Sequence, residues 1–118
     1  MVKGRVSYTL HAALELITAS ALVAVPFAIG LSPDASITAA VIGVVLFGLA
    51  VSATATDGRG TLPMSAHATY DAAVALVLMG AAVVFGLAGE LPALAFLLAA
   101  GLAQLALNGF TRYSPSRA

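Results

Sequence analysis

Two short stretches of this chain carry the residue types that could do chemistry. LHAALE, residues 10–15, sets His11 four residues before Glu15, and AHATYD, residues 66–71, sets His67 four residues before Asp71. On a helix, positions i and i+4 share a face, so each stretch stacks an imidazole over a carboxylate. Brought together, two imidazoles and two carboxylates could hold a divalent first-row metal such as Zn²⁺ or Fe²⁺. The two imidazoles could instead be the axial ligands of a haem. One acid could exchange protons and cations, or the groups could simply pair with one another as architecture. Tyr70 adjoins Asp71, and Gln104 and Asn108 form another polar pair at i, i+4 spacing. The candidate cluster is therefore His11, Glu15, His67, Tyr70, Asp71, Gln104 and Asn108, with His11, Glu15, His67 and Asp71 as candidate metal ligands.

Composition says where such a cluster must sit. The chain is 61% hydrophobic and 8% charged, with a mean hydropathy of +1.05, against about 25% charged in soluble proteins. Four apolar stretches run roughly over Thr9–Leu31, Ile37–Thr54, Ala66–Leu87 and Pro92–Phe110. Each approaches or exceeds the roughly 17–25 residues that a helix needs to cross a hydrocarbon core. A helix also pairs all its backbone polar groups internally, as lipid requires. The expected fold is an all-α integral membrane protein, a four-transmembrane-helix bundle in one domain over residues 1–118. LSPDAS (31–36) and AGELP (88–92) read as tight turns, and TATDGRGTLPMSA (54–66) as a longer loop. The first run is too long for a signal-peptide core and holds Glu15, so it is expected to remain in the mature protein.

The bases orient the bundle. Lys3 and Arg5 precede the first helix, Arg59 lies between the second and third, and Arg112 and Arg117 follow the fourth. Four spans put all five on one face, which the positive-inside rule makes cytoplasmic, with Tyr8 and Tyr113 at that interface. The chain has no cysteine, so disulfides and thiolate ligands are excluded. A net charge of zero without a basic cluster gives no reason to expect nucleic acid. The expected partners are the lipid bilayer and a homo-oligomer or larger membrane complex.

The halves of the sequence are related. At a constant offset of 56, His11 meets His67 and Glu15 meets Asp71. Gly30 and Leu31 meet Gly86 and Leu87, Asp34 meets Glu90, and Leu46, Leu49 and Ala50 meet Leu102, Leu105 and Ala106. Two helices per copy return the chain to the same side, which makes these parallel repeats, about 9–54 and 65–110, around an axis along the membrane normal. Two tandem two-helix units with a Pro-aromatic step late in the first helix resemble the bacterial SPW-repeat membrane proteins. Val25, Pro26 and Phe27, followed by Gly30, stand at the Ser-Pro-Trp place, and Ala81, Ala82 and Val83 stand there in the second copy. The resemblance implies a small four-helix protein of the bacterial cytoplasmic (inner) membrane and brings no activity with it. An acid in the first of four short helices also resembles the small multidrug exporters, which implies proton-coupled transport in an oligomer.

Depth separates these readings. With Thr9 and Ser65 as N-caps, His11 and His67 fall at headgroup level and Glu15 and Asp71 about 6 Å deeper. Ser52, Gln104 and Asn108 gather at the same end, whereas the outer half holds only Ser36 and Thr38 beside a turn. A polar cluster open to one side under an apolar half does not make a path through one protomer. No nucleophile, metal-binding motif or phosphate loop accompanies it, so an enzyme is not expected, and a structural or accessory protein is. Ala39 and Gly43, and Ala95, Ala99 and Ala103, form small-xxx-small rows expected to pack within the bundle. Pro26 is expected to kink the first helix, and Thr18 and Ser20 to bond their own helix carbonyls. Reporter fusions at both termini should read as cytoplasmic; a fusion at Asp34 or Glu90 that also reads cytoplasmic would defeat the topology.

Overall fold

The computed structural model of the chain describes residues 6–53 and 64–111. Its four helices are α1 (Tyr8–Ala28), α2 (Pro33–Ala53), α3 (Met64–Leu87) and α4 (Leu91–Phe110), all long and apolar enough to cross a membrane. At 1.5 Å per residue they are about 30–36 Å long, close to the roughly 30 Å of a hydrocarbon core. Their outward faces are apolar as well: Ile17, Val44, Leu76 and Val84 are 63–66% exposed. A soluble monomer seldom shows contiguous surface of this kind.

Local chemistry sets the ends of the helices. The N-cap of α1 is Ser7, whose hydroxyl accepts from the Leu10 amide at 3.1 Å; the expected cap, Thr9, already lies inside the first turn. Ser65 likewise lies within α3, and the residues before Met64 fall outside the described part of the chain. α2 starts four residues before the expected Ile37, because Ser32 caps it through the Ala35 amide at 3.1 Å and Pro33 suits the first helical position. α1 and α3 end alike. Gly30 and Gly89 adopt φ of 76° and 85°, and the amides that follow, Leu31 and Glu90, reach back to the Pro26 and Phe85 carbonyls at 2.9 and 2.8 Å. This Schellman closure needs a residue in the left-handed region, which glycine supplies. Pro26 sits buried in the last turns of α1, which runs unbroken past it to Ala28. Thr18 and Ser20 donate to the Leu14 and Leu16 carbonyls, as expected.

Most packing lies within the hairpins α1–α2 and α3–α4, with less between α2 and α3 and between α1 and α4. α1 buries His11, Glu15, Ala19, Leu22 and Pro26, and α3 buries His67, Asp71, Ala75, Leu78 and Ala82. Each of these pairs is 56 residues apart. The second helices obey a different spacing. A Cβ on Gly43 would meet the Ala19 carbonyl and Leu22 Cβ at 2.9 Å, and a Cβ on Gly101 would meet the Ala75 carbonyl and Leu78 Cβ at 3.2 Å. The same close approach is thus built in each hairpin, with the glycines 58 apart. Ala35 and Ala93, Ala39 and Leu97, and Leu46 and Gln104 follow that spacing and are all buried. In the second helices the buried positions thus pair at 58 rather than at the 56 read from the sequence. The Gly30 turn corresponds to Gly89, because α3 is three residues longer than α1.

Ala39 and Gly43 pack inside, as expected. Ala95, Ala99 and Ala103 do not: they are exposed, because α4 turns Ala93, Leu97, Gly101 and Gln104 inward and residues two further along lie about 200° away around the helix. Leu22, Leu46, Leu78 and Leu97, all fully buried, form the apolar core. Gly43→Ala should cost about 1–3 kcal/mol, since its neighbours include backbone. Gly48→Ala should be neutral or stabilising, because a Cβ there meets nothing within 4 Å and alanine favours the helix. Equilibrium unfolding in mixed micelles measures both, and equal losses would contradict the close α1–α2 approach.

Candidate metal centre

The cluster is assembled from α1, α3 and the end of α4. His11 and Glu15 face inward one turn apart on α1, and His67 and Asp71 do the same on α3. The packing that seats Gly43 and Gly101 against α1 and α3 leaves their inward faces opposed near the end of the bundle where Val6 and Thr111 meet. Gln104 approaches from α4, donating through Nε2 to Glu15 Oε2 at 3.0 Å.

Nitrogens and oxygens alternate around a shared centre. His11 Nε2 lies 2.7 Å from Asp71 Oδ2, which lies 3.1 Å from His67 Nε2. His67 Nε2 lies 3.2 Å from Glu15 Oε1, and Glu15 Oε2 closes the ring 3.3 Å from His11 Nε2. One ligand atom from each residue falls within 4.8 Å of all the others. None of the four side chains is exposed.

His11 and His67, both in the first turns of their helices, are fully covered, where a cluster open to one side was expected. The ring of Tyr8 covers both imidazoles, stacked on His11 at 6.3 Å between centroids and edge-on to His67 at 5.5 Å. The Val6 amide donates to the Phe110 carbonyl at 3.0 Å, drawing the two ends of the described chain together over the cluster. The cluster is closed at the side expected to be open, and its other side abuts the leucine core.

Two carboxylates in so small a buried space repel. At an effective dielectric near 20, two unit charges about 4 Å apart cost about 4 kcal/mol. Either a divalent cation between neutral imidazoles or a second proton on each imidazole brings the set to neutrality.

Of the remaining candidates, Tyr70 turns outward. Tyr70 is 53% exposed, because one residue from Asp71 is a rotation of about 100°; it lines an apolar cleft of about 580 Å³ between α2 and α3 with Val45, Gly48, Ser52 and Val74. Asn108 is partly buried one turn beyond Gln104. Ser52 donates to its own helix at the Leu49 carbonyl. Tyr113 lies outside the described residues. Two participants were not among the sequence candidates, Tyr8 as cover and Thr111, whose Oγ1 lies 2.7 Å from His11 Nδ1. Thr111 follows Gln104 by seven residues, two turns along one face, and that spacing was the available signal.

In comparisons with known proteins, no family model, curated protein or solved structure matches this chain. Its chemistry is read from the geometry alone. Asp71→Leu should lower stability by about 3–5 kcal/mol, as losing one partner of a buried charged set does. Gln104→Leu, which copies the apolar Leu46 of the other hairpin, should cost about 0.6–2 kcal/mol. Unfolding of the two variants in mixed micelles compares them; similar losses would show that the carboxylates do not organise the cluster.

Proposed function

We propose that this chain is a small accessory protein of the bacterial cytoplasmic membrane that binds one divalent first-row metal ion, Zn²⁺ or Fe²⁺, through His11, Glu15, His67 and Asp71. Both termini lie in the cytoplasm, and the two hairpins are tandem repeats around an axis along the membrane normal. The arrangement is in keeping with the SPW-repeat resemblance.

The observation that carries this reading is the alternating ring. Each Nε2 faces oxygens of two different acids at 2.7–3.3 Å, whereas a single N–H has one direction in which to donate. A tetrahedral ion with bonds of about 2.0–2.2 Å sets its ligand atoms about 3.3–3.6 Å apart, slightly wider than the ring. A divalent ion also cancels the two carboxylate charges. With nitrogen and oxygen donors and no sulfur, the set suits zinc or ferrous iron over copper(I), and its two imidazoles set it apart from the all-oxygen sites of magnesium and calcium.

Haem fits less well, since Asp71 Oδ2 lies within 3.1 Å of both Nε2 atoms and so takes the space a macrocycle needs. Transport through one protomer also fits less well, because Leu22, Leu46, Leu78 and Leu97 fill the core beyond the cluster. A chain purified in mild detergent should carry about one such ion by elemental analysis, show no haem absorption, and give the intense visible bands of tetrahedral Co²⁺ on exchange. Glu15→Gln and His67→Ala should lose the ion. A folded wild-type protein that stays metal-free after incubation with Zn²⁺ and with Fe²⁺ would leave the cluster as an ion-paired architectural element.

A further inference from the structure

Thr111 closes the described part of α4 in extended backbone, at φ −87° and ψ 142°, and is 3% exposed. Its Oγ1 lies 2.6 Å from the Leu107 carbonyl and 2.7 Å from His11 Nδ1. A threonine hydroxyl has one proton and two lone pairs. The carbonyl has no proton to give, so the hydroxyl proton must point to Leu107, and a lone pair is left facing the imidazole. His11 Nδ1 must then be the donor. A neutral imidazole carries one proton, so placing it on Nδ1 strips Nε2, and Nε2 is the nitrogen that looks into the ring of carboxylates.

We infer that Thr111 is a positioning residue for the proposed centre: by accepting from His11 Nδ1 and donating to Leu107, it fixes the tautomer in which Nε2 presents a lone pair to the ion. The inference rests on the metal reading above. A bare Nε2 at 2.7 Å from Asp71 Oδ2 sets lone pair against lone pair, a contact that either a second proton on the ring or the metal ion relieves, and only the ion makes His11 a ligand. Histidine ligands generally donate their other ring N–H to such an outer partner, which holds the ring and raises its basicity. Here that partner is held in turn by the pairing of Val6 with Thr111 and by the Val6 amide on the Phe110 carbonyl. The ligand geometry of α1 is thereby tied to the far end of the chain.

The test uses the full chain in detergent with Zn²⁺ alone, titrated against a chromophoric chelator, alongside nitrogen NMR of selectively labelled histidine. Thr111→Val keeps the volume and loses the hydroxyl; it should retain one ion per chain but bind it about 10–100-fold more weakly, with His11 split between tautomers. Thr111→Ser should restore both the affinity and the single Nδ1–H form. A thermal unfolding midpoint close to wild type in both variants separates this effect from loss of fold. Wild-type zinc affinity in Thr111→Val, or a zinc-bound His11 that ligates through Nδ1, would overturn the assignment. Should no chain bind zinc, the metal reading falls and the spectrum still decides Thr111: a His11 Nδ1 without a proton overturns the tautomer, and a protonated Nδ1 lost only in Thr111→Val sustains it.

Discussion

The structure depends on two carboxylates held where no water reaches them. Glu15 and Asp71 stand on different helices of different hairpins, and each is met by an imidazole from its own helix and one from the other. Because a buried charge without a partner costs several kcal/mol, α1 and α3 cannot rotate or slide independently. The glycines that let α2 and α4 lie close against them fix the inward faces from behind, and Tyr8 closes the ring above. In a bilayer, apolar packing alone would specify less, since lipid tails are as apolar as the leucines of the core and would give the helices little reason to choose one register.

Much of this was legible in the sequence, and the reasons are particular. The helices were visible because their apolar runs are long, and the four central residues because polar types are rare and expensive in such runs. In α1 and α3 the buried positions, His11 and Glu15 against His67 and Asp71, lie 56 residues apart, the offset at which the sequence shows residues of distinctive chemistry. In α2 and α4 the buried positions lie 58 apart instead, and the sequence matches at 56 there are of alanine and leucine, which are common in this composition. The close approach of α2 to α1 and of α4 to α3 shows only through the contacts of Gly43 and Gly101. Burial of the histidines was hidden for another reason. A tyrosine near a predicted interface reads as an anchor, and only the fold turns the ring of Tyr8 onto the imidazoles. Thr111 was hidden because its role requires a contact across 100 residues.

The hairpins differ most where it matters. At the positions that the 58-residue spacing pairs, α2 buries Leu46 and α4 buries Gln104. Leu46 joins the apolar core, while Gln104 donates to Glu15. A symmetric pair of leucines would leave Glu15 to the histidines alone, and a symmetric pair of glutamines would push polar atoms into the leucine layer, at a cost of roughly 1–3 kcal/mol for each unsatisfied group. One of each lets the bundle hold a polar ring at one end and a dry core beside it.

That division also limits what the proposed centre can do. Four protein ligands complete a tetrahedral set, and sites so completed are structural, whereas catalytic ones keep a position open for water or substrate. The leucine core blocks one approach and the Tyr8 cover with the Val6–Phe110 bond blocks the other, so exchange of the ion requires Val6 and Tyr8 to part from the end of α4. Parting them would also pull Thr111 from His11 Nδ1, since Thr111 belongs to that same closure. Opening the site and releasing the tautomer that makes His11 a ligand are then one event. Such coupling favours a centre that is either fully formed and closed or open and weakly binding, which suits an ion that holds two hairpins together better than one in constant turnover.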